Sequence, residues 1–250
     1  MEQKEFAVGV RIEHLQSMIG RAQYGIGYEA LPAADYKLVS HASERAAFTF
    51  CMCPGGVVIP SASEMGGVVT NGMSDFARDG RNANSALVVQ VKREDFGSEH
   101  PLAGVAFQRK LERTAFEAAG GGYQAPVQLV GDFLSDRESY YFGEVRPTYA
   151  RGTSFVPMQA IFPTPIVDAM KAAIPDMNGK LKGFSSYEGV LTGVESRTSS
   201  PVRILRGSDL QAVGKEGVYP CGEGCGYAGG ITSAAADGLR VAQAIVQKFI

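Results

Sequence analysis

The chain has 250 residues, 45% of them hydrophobic and 20% charged, with a formal net charge of −2. That is enough chain to bury a sizeable core in one large or two modest domains, and it excludes disorder as the default state. There is no dense Lys/Arg run, so nucleic acid and membrane are not expected partners; a small molecule or another protein is.

No apolar run is long enough to cross a bilayer, and Met1–Glu5 has neither the charge nor the apolar pattern of a signal peptide, so a cytoplasmic protein is expected. The four cysteines fall into two pairs, Cys51/Cys53 and Cys221/Cys225, too few for a secreted disulfide framework. Reduced thiols are the simpler expectation.

In chain order, Phe6–Glu13 alternates as a strand with Val8, Val10 and Ile12 on one face, and His14–Arg21 reads as a short helix. Strands are expected at Tyr36–Val39, Ala47–Met52, Val57–Pro60, Val68–Asn71 and Ser85–Val91, with a polar segment from Gly72 to Asn84 before the last of them. Leu102–Ala119 is a helix closed by Gly120–Gly122, Val127–Val130 a strand and Phe133–Arg146 an aromatic loop. Ile166–Ile174 is a helix expected to stop at Pro175, and Tyr187–Val194 and Val202–Leu205 are strands. The chain then reads as strand over Gly217–Pro220, glycine loop, and a helix running to Ile250 with Ile231, Ala234, Ala235, Leu239, Ala242 and Ile245 on its apolar face.

Gly224-Cys225-Gly226-Tyr227-Ala228-Gly229 spells the G-x-G-x-x-G dinucleotide fingerprint. That unit needs a second strand with an acidic residue about 20 residues on, and the helix after Gly229 fills the remaining sequence. Gly222-Glu223 ahead of a helix N-terminus suits another role, closing over the flavin end of FAD. The acidic residue would accept from a ribitol hydroxyl, and the helix dipole would face the ring edge where reduced flavin carries negative charge. A plain βα unit with a glycine-rich turn is the alternative.

Five ordered motifs carry a resemblance: Cys51-Met52-Cys53-Pro54-Gly55-Gly56, Asn71-Gly72-Met73-Ser74, Arg81-Asn82-Ala83-Asn84-Ser85-Ala86-Leu87, Glu195-Ser196-Arg197 running on to Arg203, and the C-terminal Gly-Glu-Gly loop. Together they resemble the C-terminal half of the uncharacterised bacterial FAD-dependent dehydrogenases, from about Phe6 onward. The resemblance implies an α+β substrate domain with a mixed or antiparallel sheet over residues 1–200. Residues 201–250 would then be a strand-loop-helix belonging to a Rossmann-like FAD domain whose N-terminal half lies outside this chain. It implies FAD in the parent protein, bound weakly or not at all by this chain alone, and a partner in the missing half or in another copy of the chain.

Cofactor-binding candidates are Gly222, Glu223, Gly224, Gly226, Tyr227, Ala228, Gly229, Gly230 and Ile231; substrate candidates are Asn71, Arg81, Asn84 and Arg197. Cys53, Cys51, Arg78 and Asn82 are candidates for chemistry, the arginines because a guanidinium holds a carboxylate through a bidentate pair. Cys51 and Cys53 fit buried thiols beside a ligand, a dithiol working with flavin, or half of a zinc site, although C-x-C with C-x-x-x-C departs from zinc knuckles, and no metal is expected. Glu195 and Arg197 would pair at a strand end. His14, His41 and His100 lack a triad context and are expected at the surface or in caps. The expected activity is hydride transfer between flavin and an organic substrate within the parent oxidoreductase, this chain alone being inactive. The alternative is a binding or interaction module without catalysis.

Overall fold

The computed structural model describes residues 1–249, so Ile250, the last residue of the expected helix, lies outside the described residues. The architecture is mixed α+β, with five α-helices and eleven strands among the described residues. The chain divides into two compact units, one of residues 8–90 and 109–196, the other of residues 1–7, 91–108 and 197–250.

The larger unit is built on a seven-stranded sheet. Its strands are β2 (Phe6–Leu15), β3 (Val39–Ser40), β4 (Ala47–Cys53), β7 (Asn82–Val91), β8 (Ala125–Leu129), β9 (Thr153–Phe155) and β10 (Val190–Glu195), in the order β3-β4-β7-β2-β10-β8-β9. The β8–β9 pair is parallel, whereas β3–β4, β4–β7, β2–β10 and β8–β10 are antiparallel. A separate hairpin joins β5 (Gly56–Pro60) to β6 (Thr70–Ser74) in the register Gly56 to Ser74.

Strand β2 is central and buried on both faces over nearly its whole length, so its alternating pattern does not mark one face to solvent. It runs to Leu15, and α1 follows at Gln16–Tyr24, so the helix expected from His14 begins two residues later. Helix α2 spans Ala103–Ala118 as the periodicity predicts. A short helix α3 (Val130–Leu134) stands at the start of the segment read as loop.

Helix α4 spans Thr164–Lys180 and continues through Pro175, where the sequence predicts a stop. Pro175 removes one backbone donor, but Ile174 and Met177 on either side of it are buried with Ile166, Met170 and Ala173 along one stripe. Core burial of that stripe outweighs the lost bond.

In the smaller unit β1 (Glu2–Gln3) pairs antiparallel with β11 (Val202–Arg203), and α5 spans Ile231–Phe249. The strand expected over Gly217–Pro220 does not form; Gly217 lies in a turn and Val218–Pro220 are irregular, with no neighbouring strand among the described residues to take their backbone groups. The Val218 carbonyl accepts from the Ala212 N–H at 2.7 Å.

Candidate functional site

In the larger unit, four of the five sequence motifs meet at a residue that motif reading passes over. Arg11, on β2, is fully buried. Its Nε donates to Asn84 Oδ1 at 3.0 Å, and Nη2 donates to the same oxygen, to the Cys51 carbonyl at 2.9 Å and to Cys53 Sγ at 3.5 Å. Its Nη1 lies 3.9 Å from Glu195 Oε2. Gly72 completes the enclosure, since a Cβ there would run into Arg11 Nη2 and Asn84 Oδ1. Only glycine lets β6 pass this close to the guanidinium.

The local backbone follows from this arrangement. The β4–β7 register slips between Phe50 and Cys53, and in that bulge Cys51 takes a left-handed φ of 45°. The bulge turns the Cys51 carbonyl to Arg11 and leaves its side chain exposed, while Cys53 is buried and donates to the Cys51 carbonyl at 3.3 Å. The two thiols are therefore not equivalent.

The cluster is rich in polar atoms without a hydrogen-bond partner: Arg11 Nη1, Glu195 Oε2, Asn84 Nδ2 and, two residues before Gly72 on β6, Thr70 Oγ1. Burial raises the Glu195 carboxyl to about 7, against the opposing pull of Arg11. A carboxyl poised there holds or releases a proton near neutral pH. Glu195 thus faces Arg11 across neighbouring strands.

A second polar rung, between β2 and β7, is satisfied. Glu13, also buried on β2, accepts from Asn82 Nδ2 at 3.1 Å, from Thr148 Oγ1 at 2.6 Å and from the Thr148 N–H at 3.2 Å. Burial raises its carboxyl, and these donors pull it back. Asn82 also donates to the Arg146 carbonyl at 2.8 Å, so its role is to pin the 144–148 segment to the sheet. Asn82 and Asn84 share one face of β7, whereas Asn71, Arg78 and Arg81 are exposed. Arg81 Nη2 donates to the Glu144 carbonyl at 2.9 Å. Arg78 has a φ of 52°, and its carbonyl packs where a Cβ on Gly55 would stand. The 71–84 candidates therefore divide, Asn82 and Asn84 inside and the others outside.

In the smaller unit the glycine loop is strapped to the 200–206 segment. Ser200 Oγ donates to Gly224 O at 3.0 Å, Ile204 N–H to Cys225 O at 3.1 Å, and a Cβ on Gly226 would stand 2.5 Å from the Val202 carbonyl. Asp237 of α5 takes a bidentate pair from Arg206, at 2.6 and 2.9 Å, and a further bond from the Gly222 N–H at 2.9 Å. These donors hold the Asp237 carboxyl below its usual range.

Tyr227 stacks under Arg206, whose Cζ is 3.6 Å from the ring centroid, and its hydroxyl donates to Ile204 O at 2.9 Å. That ring is occupied by the strap. By contrast Gly224 and Gly229 face open space, and the first α-helical bond runs from Ala234 N to Gly230 O, which leaves the Ile231, Thr232 and Ser233 N–H groups ahead of it. Arg197, Ser199, Ser200, Glu223 and Gly224 line a cavity of about 280 Å³. Beside it Lys4 Nζ donates to Ser199 Oγ at 3.3 Å, its ammonium lowered by burial and by Arg203 while Glu223 opposes.

The apolar face expected of α5 is only partly covered in this unit. Ala234 and Ile245 are half-buried, but Ile231 is 92% and Leu239 67% exposed, because the Arg206–Asp237 pair turns Asp237 and Val241 inward instead. His14 is likewise fully buried on β2, contrary to a surface placement, with Nε2 donating to Phe184 O at 2.9 Å; burial lowers it to about 4. His41 and His100 are exposed, and His100 Nδ1 accepts from Leu102 N–H at 3.2 Å. Among the described residues no group of three or more His, Cys, Asp or Glu is placed to hold a metal, and no helix is long and apolar enough to cross a membrane.

Residues 5–198, which carry β2, the Arg11 cluster and Glu195, match the family described as FAD-dependent protein, C-terminal domain-like. The chain belongs to this family. A relative from Clostridium beijerinckii (strain ATCC 51743 / NCIMB 8052), described as an uncharacterised protein, is 51% identical over 253 residues covering the whole chain. The chain spans 48% of that relative's length. In family terms the Arg11 cluster lies inside the matched domain, while the glycine loop and α5 follow it.

Proposed function

We propose that this FAD-dependent protein C-terminal domain is the substrate-side and flavin-closing part of an oxidoreductase whose nucleotide-binding half is a Rossmann-like domain, with residues 201–250 as the closing unit. The observation that carries the reading is the open helix N-terminus of α5 behind Gly229 and Gly230, in a chain of an FAD-dependent family. Bound flavin would supply hydride transfer to or from an organic substrate. The residues suit that group: unpaired N–H groups favour an electron-rich ring edge, and Glu223 lines the adjoining cavity as a hydroxyl acceptor. A cavity of about 280 Å³ is smaller than a typical cofactor site, so this chain would hold one end of FAD and a partner the rest.

The exposed residues of α5 support such a partner. Ile231, Ala235, Leu239, Ala242 and Val246 fall on one helical face and are all exposed. A nucleotide-binding domain docking there would cover them. The test is co-expression of the chain with the N-terminal half of the Clostridium relative. A co-purified complex with a visible flavin spectrum is expected, and the chain alone with added FAD should stay nearly colourless. Glu223→Ala should weaken flavin retention about tenfold without dissociating the halves. A stable complex that binds no flavin would overturn the reading.

A further inference from the structure

The geometry points to a second binding site in the larger unit, one that takes a small aromatic monocarboxylate. A cavity of about 450 Å³ opens between the loop after β5 and the segments carrying Tyr123, Tyr149 and Arg151. That volume is within the range of small-molecule sites. The proposal stands on this unit alone and does not depend on the flavin reading.

Charge decides the ligand's sign. Two side chains of opposite charge line the cavity, Glu64 and Arg151. Glu64 is neutralised by Arg109, whose Nε donates to its Oε2 at 2.8 Å. Arg151 has no carboxylate partner among the described residues; it interacts electrostatically with Tyr149. The site therefore presents one uncompensated guanidinium, a fork suited to one carboxylate. A phosphate would call for more donors than this single cation.

The walls decide the rest of the ligand. Tyr149 is buried, and its hydroxyl donates to the Tyr123 carbonyl at 3.2 Å. Tyr123 is held at a left-handed φ of 60° after Gly120–Gly122, with its ring against Phe116 at 4.9 Å and its hydroxyl accepting from Gly66 N–H at 3.4 Å. A non-glycine residue kept in this conformation is fixed by its surroundings, so the aromatic wall is preorganised. Met65, which also lines the cavity, is 89% exposed on the loop beside Gly66, an unbranched side chain able to fold over a ring. An aromatic ring between Tyr149 and Met65, with its carboxylate on Arg151, uses each of these groups.

The experiment titrates phenylacetate, with phenylacetamide as the uncharged counterpart, into the 15N-labelled chain and follows backbone amide shifts. Shifts confined to residues 60–66, 123 and 149–151 are expected, with phenylacetate at least about tenfold tighter than phenylacetamide. Arg151→Gln should erase that preference, and Arg151→Lys should keep part of it, with thermal melting of both exposed-site variants unchanged. Equal binding of acid and amide, shifts elsewhere, an unaltered preference in Arg151→Gln, or no shift at tens of millimolar phenylacetate would each overturn the assignment.

Discussion

A guanidinium with no exposed surface costs several kcal/mol unless its surroundings repay it, and Arg11 shows how the repayment is arranged. Asn84 and the Cys51 carbonyl supply acceptors at the ends of the fork, and Glu195 supplies a titratable counter-group. Arg11→Met leaves those acceptors buried without their donor and should cost about 3–5 kcal/mol in urea unfolding. Adding Glu195→Gln should recover part of that loss, a coupling read from a double-mutant cycle; strictly additive losses would mean the two groups do not interact. Arg11 was legible in the sequence only indirectly. Arg11 and Glu13 at alternate positions on one strand, with Asn82 and Asn84 at alternate positions on another, describe a polar layer inside the sheet. Alternation alone reads such a layer as a solvent face, because strand periodicity does not say whether the second face is covered.

At the level of elements, helix α2 and the long strand β7 followed from apolar spacing, whereas the short helix α3 did not. What did not follow depends on contacts distant in sequence. Helix α4 passes Pro175 on the strength of its buried stripe, and the segment before the glycine loop stays irregular for want of a strand beside it. The orientation of α5 is also set remotely, by Arg206 and Asp237, a pair 31 residues apart that no local pattern marks. Breaking it should free the helix from the loop. In Asp237→Asn, amide exchange in residues 220–230 and 234–241 is expected to speed up about tenfold, with the β2 and β7 amides unaffected. Because Asp237 is held below its ordinary carboxylate range, its contribution is present above the unfolded value and fades as pH falls through the folded one. Wild type should therefore loosen in the same segments on acidification below about pH 4. Exchange in α5 insensitive both to Asp237→Asn and to acid would remove the pair as the anchor.

Across the molecule, the buried groups of the larger unit make opposing demands on pH. Glu195 rises from 4.5 to about 7 on folding, so the folded state binds its proton more tightly, and stability falls as pH climbs through that interval. Glu13 acts in the same direction. His14 drops from 6.5 to about 4, so the unfolded state takes up the proton first, and stability falls as pH descends through that interval. Each displacement corresponds to roughly 3 kcal/mol, and their windows overlap between pH 4.5 and 6.5. The Glu195 and His14 contributions offset each other there, so the wild-type slope in urea unfolding should be the residual one, with Glu13 included in it. The single variants should expose the slopes underneath. Glu195→Gln leaves the His14 contribution unopposed by Glu195, and its stability should rise by about 2–3 kcal/mol from pH 4.5 to 6.5 relative to wild type's change. His14→Gln, which keeps a donor for the Phe184 carbonyl, should fall by a similar amount over the same range. Parallel profiles for the two variants would show that at least one of these groups is not held in the protonation state its burial dictates. Opposite slopes would show that Glu195 on β10 and His14 on β2 are both held in the protonation states their burial dictates.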